Sequence, residues 1–147
     1  MTKAATEYDE ALRIMRGSAP DRQRAFALLL AASSNGDHRA SSAIATWYYH
    51  GQYVRKNFRK AVQFAKKAAL NGSAKDLHYL GISYERGEGV KKDECRAFAF
   101  YSSAALLGDK QAMYEVARLL FYGIGTASNR SLAKLWYGKS GIARHNR

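Results

Sequence analysis

The sequence predicts an all-α fold: a right-handed α/α superhelix, or solenoid, of about three 36-residue helix–turn–helix repeats behind a degenerate N-terminal helix pair. Three observations predict it. The first is a period. Gly36, Gly72 and Gly108 lie 36 residues apart, as do Gly51, Gly87 and Gly123, and Ala25, Ala61, Ala97 and Ala133. Ile44, Leu80 and Val116, then Ala45, Gly81 and Ala117, then Leu28, Phe64, Phe100 and Trp136 keep the same frame. The second is apolar spacing at three- and four-residue steps inside each period, and the third is a set of helix-end residues in the same register. A fixed period of this size marks stacked units, none of which buries its apolar face alone.

Taken in chain order, residues 1–36 form a half-unit. Tyr8, Ala11, Leu12 and Met15 fall on one side of a helix over 3–16, and Gly17-Ser18-Ala19-Pro20 then turns into a helix beginning near Asp21. Repeats follow at 37–72, 73–108 and a shortened 109–141, with a basic tail at 142–147, all in one domain of 147 residues. The first helix of the second repeat shows Leu77, Leu80, Gly81 and Tyr84 on one face; that of the third shows Met113, Val116, Ala117 and Leu120. The second helices do the same, as with Ala97, Phe100, Tyr101, Ala104 and Ala105. Small residues at 45, 81 and 117 let paired helices approach, and aromatics at 64, 100 and 136 fill the space between.

The ends repeat too. Asp37, Ser73 and Asp109 suit the N-caps of the first helices, and Asp21, Asn57, Asp93 and Asn129 those of the second, because their side-chain oxygens accept from amides left open in the first turn. Gly51, Gly87 and Gly123 suit the positive-φ residue that ends a helix, and Gly36, Gly72 and Gly108 do so for the partner helices. The carboxylates of Asp21 and Asp93 are thereby caps, not acid–base groups.

Composition narrows the function. With 47% hydrophobic and 24% charged residues, the chain is of ordinary globular make-up. It has no apolar run of the ~18–20 residues that span a bilayer. Its first ten residues lack the apolar stretch of a signal peptide, so a cytoplasmic protein is expected. The single cysteine, Cys95, forms no internal disulfide and reads as structural. His38, His50, His78 and His145 lack metal spacing, Gly87-Glu88-Gly89 and Gly123-Ile124-Gly125 are inter-helix turns rather than phosphate loops, and the paired serines have no base nearby. No cofactor, metal or small-molecule substrate is expected, and no catalysis. A net charge of +12, from 24 Lys/Arg against 12 Asp/Glu, favours anionic partners.

Residues 74–108 carry Leu80, Gly81, Tyr84, Gly87, Gly89, Val90, Asp93, Ala97, Phe100, Tyr101, Ala104, Ala105 and Gly108. This resembles the Sel-one-like repeat (SLR), a relative of the tetratricopeptide repeat: Leu-Gly-x-x-Tyr-x-x-Gly-x-Gly-Val, a spacer to Asp, then Ala-x-x-Trp-Tyr-x-x-Ala-Ala-x-x-Gly. The first repeat keeps Tyr48, Gly51, Val54, Ala61, Phe64, Ala68, Ala69 and Gly72, with Tyr53 where the second glycine is usual. The third keeps Tyr114, Val116, Gly123, Gly125, Ala133, Trp136 and Tyr137, then departs with Lys139-Ser140-Gly141, which suggests a terminal cap or a truncated last repeat. The resemblance covers about residues 21–141. The cysteine-paired variant of the family is excluded by the lone Cys95.

The resemblance implies a non-catalytic protein–protein interaction module whose first helices line a concave face. That face would hold Arg39, Thr46, Tyr49 and His50, then Lys75, His78 and Arg86, then Tyr114, Arg118, Phe121 and Tyr122, a basic and aromatic mixture suited to an acidic partner protein. A cytoplasmic inhibitor or immunity protein of a toxin or effector is one form of this. As alternatives, Arg55, Lys56, Arg59 and Lys60 with Lys91, Lys92 and Arg96 would form an edge ridge that binds nucleic acid or an anionic membrane, or the chain would serve as a scaffold in assembly. Tyr49, Phe121 and Tyr122 could equally pack inside the fold, and the basic ridge could be a solvated helix face.

Overall fold

The computed structural model describes residues 3–143, with side chains from residue 7 onward. The described residues form helices and turns, with no strand among them. They fall into two compact units, divided along the chain between Asn71 and Gly72. The N-terminal unit holds α1 (Lys3–Arg16), α2 (Arg22–Ser34), α3 (His38–His50) and α4 (Phe58–Ala69). The C-terminal unit holds α5 (Ala74–Arg86), α6 (Glu94–Leu106), α7 (Lys110–Tyr122) and α8 (Arg130–Ser140). The tail beyond residue 143, including His145, lies outside the described residues.

Local chemistry sets these boundaries. All seven expected caps are made. Asp21 accepts from the Arg24 amide at 3.0 Å, Asn57 from Lys60 at 3.0 Å, Asp93 from Arg96 at 3.0 Å and Asn129 from Leu132 at 3.0 Å. Asp37, Ser73 and Asp109 do the same for α3, α5 and α7. Each such bond satisfies an amide that water would otherwise have to serve, contributing about 1 kcal/mol.

The helix ends repeat as well. Gly51, Gly87 and Gly123 turn left-handed at φ 66°, 70° and 70°. The next amide then reaches back to the helix: Gln52 to Trp47 O at 3.0 Å, Glu88 to Ser83 O at 3.0 Å, Ile124 to Leu119 O at 2.9 Å. Each inter-helix loop closes when the capping residue's own amide donates to the preceding helix: Asn57 to Tyr48 O, Asp93 to Tyr84 O, Asn129 to Leu120 O.

Each unit has its own core. In the N-terminal unit Ala11, Ala25, Leu29, Ala32, Ala40, Ile44 and Trp47 are buried together, with Tyr8, Ile14 and Met15 packed on them. Thus α1 and α2 form a full helix pair with its own core contacts rather than the degenerate half-unit expected. The C-terminal core gathers Tyr84, Ala97, Tyr101, Ala104, Ala105, Val116, Leu119, Leu120 and Ala133. The four register alanines 25, 61, 97 and 133 are all fully buried, where a larger side chain would hold the helices apart. Tyr48 stacks on Phe64 at 6.1 Å and 22°, and one period later Tyr84 stacks on Phe100 at 5.4 Å and 16°. The outer helix ends are tied down alike: His38 Nδ1 lies 3.3 Å from Lys67 O, and at the equivalent place Lys110 Nζ donates to Lys139 O at 3.0 Å.

Two departures from the repeat are structural. Tyr53 occupies a left-handed φ of 66°, where Gly89 and Gly125 stand in the later repeats. Its ring is held against Trp47 at 4.8 Å and beneath the Arg22 guanidinium at 5.0 Å. At the other end, Ser140-Gly141 replaces the double alanine. Gly141 turns at φ 66° to end α8, and Ser140 Oγ donates to Tyr137 O at 2.7 Å.

Candidate partner-binding surfaces

The first-helix residues divide into those consumed by the fold and those left to solvent. On α3, Arg39 is consumed. Its guanidinium donates to Asp37 through Nε at 3.1 Å and an η-nitrogen at 2.8 Å, and it lies 4.3 Å over the Tyr8 ring. The Arg39 hydrogen bonds hold the Asp37 carboxyl below its usual pKa, and the same bonds raise Arg39. Thr46 turns its hydroxyl back to Ser42 O at 3.1 Å. Tyr49 packs against Phe58 at 5.7 Å and His50 at 4.8 Å, so it belongs to the helix interface, while His50 remains exposed.

In the C-terminal unit α5 and α7 flank an open cleft of about 570 Å³ lined by Ile82, Glu85, Arg86, Lys92, Glu94, Tyr101, Glu115, Arg118 and Ile124. A fixed network lies among these residues. Arg118 donates through an η-nitrogen to both Glu85 oxygens, at 2.8 and 2.7 Å, and through Nε to Glu115 at 2.7 Å. The Tyr101 hydroxyl donates to Glu85 at 3.0 Å. Burial, and then the nearby carboxylate charges, push the Tyr101 phenol far above its usual range. For Arg118 burial acts in the opposite sense, but its bonds to Glu85 and Glu115 outweigh it and raise the pKa. Arg118 is therefore bound within the protein and is not a free cation for a partner.

Other predicted residues fall around this network. His78 lies 3.6 Å from Asp109 and 5.6 Å from the Tyr101 ring. Tyr114 packs edge-on against Tyr137 at 5.2 Å. Phe121 sits beneath Arg130 at 4.6 Å, whereas its neighbour Tyr122 is 66% exposed. Lys75 is exposed, and so is Arg86, which reaches Glu88 only at 3.6 Å.

The basic residues of the expected ridge belong to different units. In the C-terminal unit Lys92 pairs with Glu94 at 3.7 Å and Arg96 with Asp93 at 3.4 Å, while Lys91 is exposed. In the N-terminal unit Arg55, Lys56, Arg59 and Lys60 are all exposed, with Lys56 4.9 Å over Phe58 and Lys60 5.5 Å over Tyr48.

Sequence reasoning missed Glu115 and Tyr101 as members of the network. A signal was present: Glu115 precedes Arg118 by one helical turn, and Glu85 precedes it by 33 residues, one period less that turn. Among the described residues no group of three His, Cys, Asp or Glu side chains could hold a metal, and no helix is long and apolar enough to cross a membrane.

The model of the Sel1 repeat matches residues 11–37, 38–73, 74–109 and 110–142, four repeats where the sequence reading counted three and a half-unit. The α1–α2 pair is the additional one. Among solved structures, the chain is similar to c5321, a protective antigen of uropathogenic Escherichia coli strains displaying an SLR fold, with 26% identity and a TM-score of 0.87 over 94% of this chain. It spans 30% of that protein's length. A Sel1 repeat protein from Oxalobacter formigenes is 35% identical, with a TM-score of 0.69 over 76% of this chain and 84% of its own. The Helicobacter pylori cysteine rich protein B is 28% identical, with a TM-score of 0.63 over 74% of this chain and 82% of its own. No curated protein matches the chain significantly. Sel1 repeat proteins are generally protein-interaction modules. With four repeats covering most of its length, this chain belongs to the Sel1 repeat family.

Proposed function

We propose that the chain is a non-catalytic module that binds an acidic partner protein through its first-helix faces. The observation that carries this reading is the cleft between α5 and α7. Its floor is already ordered by the Glu85–Arg118–Glu115–Tyr101 network, and Arg86 and Lys92 stand at its rim, each with about three-fifths of its side chain in water. A floor fixed before the partner arrives loses little further conformational freedom on binding. Exposed rim cations steer an acidic surface toward it and set the register. Lys75 on α5 and the exposed ring of Tyr122 on α7 extend the same first-helix surface, the latter as an anchor of the amphipathic kind that interfaces favour. An inhibitor that occludes a partner's active site is one form of this module, and the net charge of +12 would speed such an encounter.

The test is capture from the native host's lysate on the tagged chain, with nuclease present and washes at moderate and high salt, beside the Lys75→Glu/Arg86→Glu variant. One dominant acidic protein retained by the wild type and lost by the variant is expected. Retention of the same protein by both would refute the first-helix surface. The captured protein's own activity, measured with and without this chain, then separates an inhibitor from an adaptor.

A further inference from the structure

The positive charge of this chain is concentrated in one repeat. Between residues 38 and 73 stand Arg39, Arg55, Lys56, Arg59, Lys60, Lys66 and Lys67, with no Asp or Glu at all. The next repeat, by contrast, mixes Lys75, Arg86, Lys91, Lys92 and Arg96 with six carboxylates, from Asp76 to Asp109.

Helix α4 organises this charge. It buries Ala61, Val62, Ala65 and Ala68 and turns Arg59, Lys60, Gln63, Lys66, Lys67 and Leu70 outward. These positions follow the helical three- and four-residue steps and form a single stripe, with the two cation pairs about 10 Å apart along the axis. Two of the ammonium groups lie over rings, Lys60 Nζ 5.5 Å from the centre of Tyr48 and Lys67 Nζ 5.5 Å from that of Phe64. Leu70 closes the stripe and is 86% exposed.

A regular helix at this place in the repeat does not require these charges. At the same register α6 carries Cys95, Arg96, Ala99, Ser102, Ser103 and Leu106 and forms an equally regular helix. Arg59 and Lys60 also sit in the first turn of α4, where the helix dipole disfavours cations. Four like charges on one stripe repel one another besides. An anionic surface would offset the dipole at Arg59 and Lys60, whereas Lys66 and Lys67, in the last turn, already complement it.

We propose that the outward face of α4 docks on an anionic membrane surface, with Arg59, Lys60, Lys66 and Lys67 engaging lipid headgroup phosphates and Leu70 entering the acyl boundary. A cationic stripe on an amphipathic helix suits a flat anionic leaflet, and an exposed leucine at its end adds apolar burial that a phosphate backbone could not use. Nucleic acid is the poorer fit. The rings nearest the stripe, Tyr48, Phe58 and Phe64, are half-buried beneath lysines and offer no free face on which bases could stack.

Co-sedimentation with phosphatidylcholine vesicles, with and without phosphatidylserine, tests this. The wild type is expected to bind only the vesicles containing phosphatidylserine, and less so as salt rises. Each basic residue near such a surface strengthens binding about fivefold, so Arg59→Gln/Lys60→Gln/Lys66→Gln/Lys67→Gln should lose at least about 100-fold and Lys66→Gln/Lys67→Gln about 25-fold. Circular dichroism monitors folding, and the double variant serves if the quadruple one unfolds. Arg16→Gln/Arg130→Gln/Lys134→Gln/Lys139→Gln removes equal charge elsewhere and should leave binding within about fivefold of wild type. Absence of serine-dependent binding by the wild type overturns the proposal, as does equal loss in the control variant. Displacement from vesicles by duplex DNA or by RNA at lower concentration than by soluble headgroup would instead make the stripe a nucleic-acid contact. The Lys75→Glu/Arg86→Glu variant should bind vesicles as the wild type does, so this surface and the first-helix surface fail or hold separately.

Discussion

Gly81→Ala is a substitution that the repeat recommends and the structure forbids. Positions 45 and 117, one period away on either side, are alanine, and alanine is favoured over glycine in a helix interior by about 1 kcal/mol. At Gly81, however, a Cβ would lie 2.6 Å from Cδ1, 2.7 Å from Cε1 and 2.9 Å from Cγ of Tyr101. Carbon atoms in contact prefer about 3.5–4.0 Å, so the ring would have to move by about 1 Å. It has little room to do so, being 1% exposed and anchored by its hydroxyl to Glu85 at 3.0 Å. Overpacking of this kind costs about 1–3 kcal/mol, and loss of the hydrogen bond to an ionised partner about 1.5 kcal/mol more. Set against the gain in helix propensity, the net is a destabilisation of about 1.5–3.5 kcal/mol. For a chain of this size that lowers the Tm by about 3–14 °C. Urea denaturation of Gly81→Ala, Tyr101→Ala and the double variant measures it. A large favourable coupling is expected, because alanine at 81 is harmful only while the ring is present. Gly81→Ala as stable as the wild type would refute the argument.

At Gly125, with φ 68°, a Cβ would meet the Glu94 carbonyl oxygen at 2.0 Å, a clash with backbone that no rotamer relieves; Gly125→Ala should cost about 3 kcal/mol or more by thermal denaturation, above Gly81→Ala. Asp37 is held below its usual pKa by Arg39, so its contribution is fully present above the ordinary aspartate value near 4 and is lost as pH falls through the lowered folded value; Asp37→Asn should flatten the acid limb of a stability–pH curve below about pH 4 while keeping the cap, and an unchanged limb would refute the pairing.

Most of the fold was legible because helix ends and small core positions are local chemistry repeated in register. Asp93 caps α6 wherever its neighbours lie, and Gly87 turns left-handed for reasons contained in its own backbone. Counting failed at the N-terminus, where α1 lacks the glycine and tyrosine marks of the later repeats yet still buries Ala11. There the packing is kept by apolar residues of varied shape, which an identity search overlooks. The candidate site was legible as a list of surface positions but not as chemistry. Whether Arg118 faces a partner or Glu85 depends on two side chains 33 residues apart meeting across helices.

That distinction changes where the molecule's charge can act. On the first helices Arg39 and Arg118 are held by carboxylates at 2.8 Å or less, so two of the cations expected to attract a partner are already neutralised. On α4 the surrounding repeat supplies no carboxylate at all. Net charge alone would distribute attraction over every basic residue, whereas the ion pairs of Arg39 and Arg118 take two cations out of the first-helix face. An acidic protein approaching the α5–α7 cleft is therefore met by Arg86 and Lys92, whereas the repeat that carries α4 holds seven cations and no carboxylate, a composition from which a flat, uniformly anionic partner gains most.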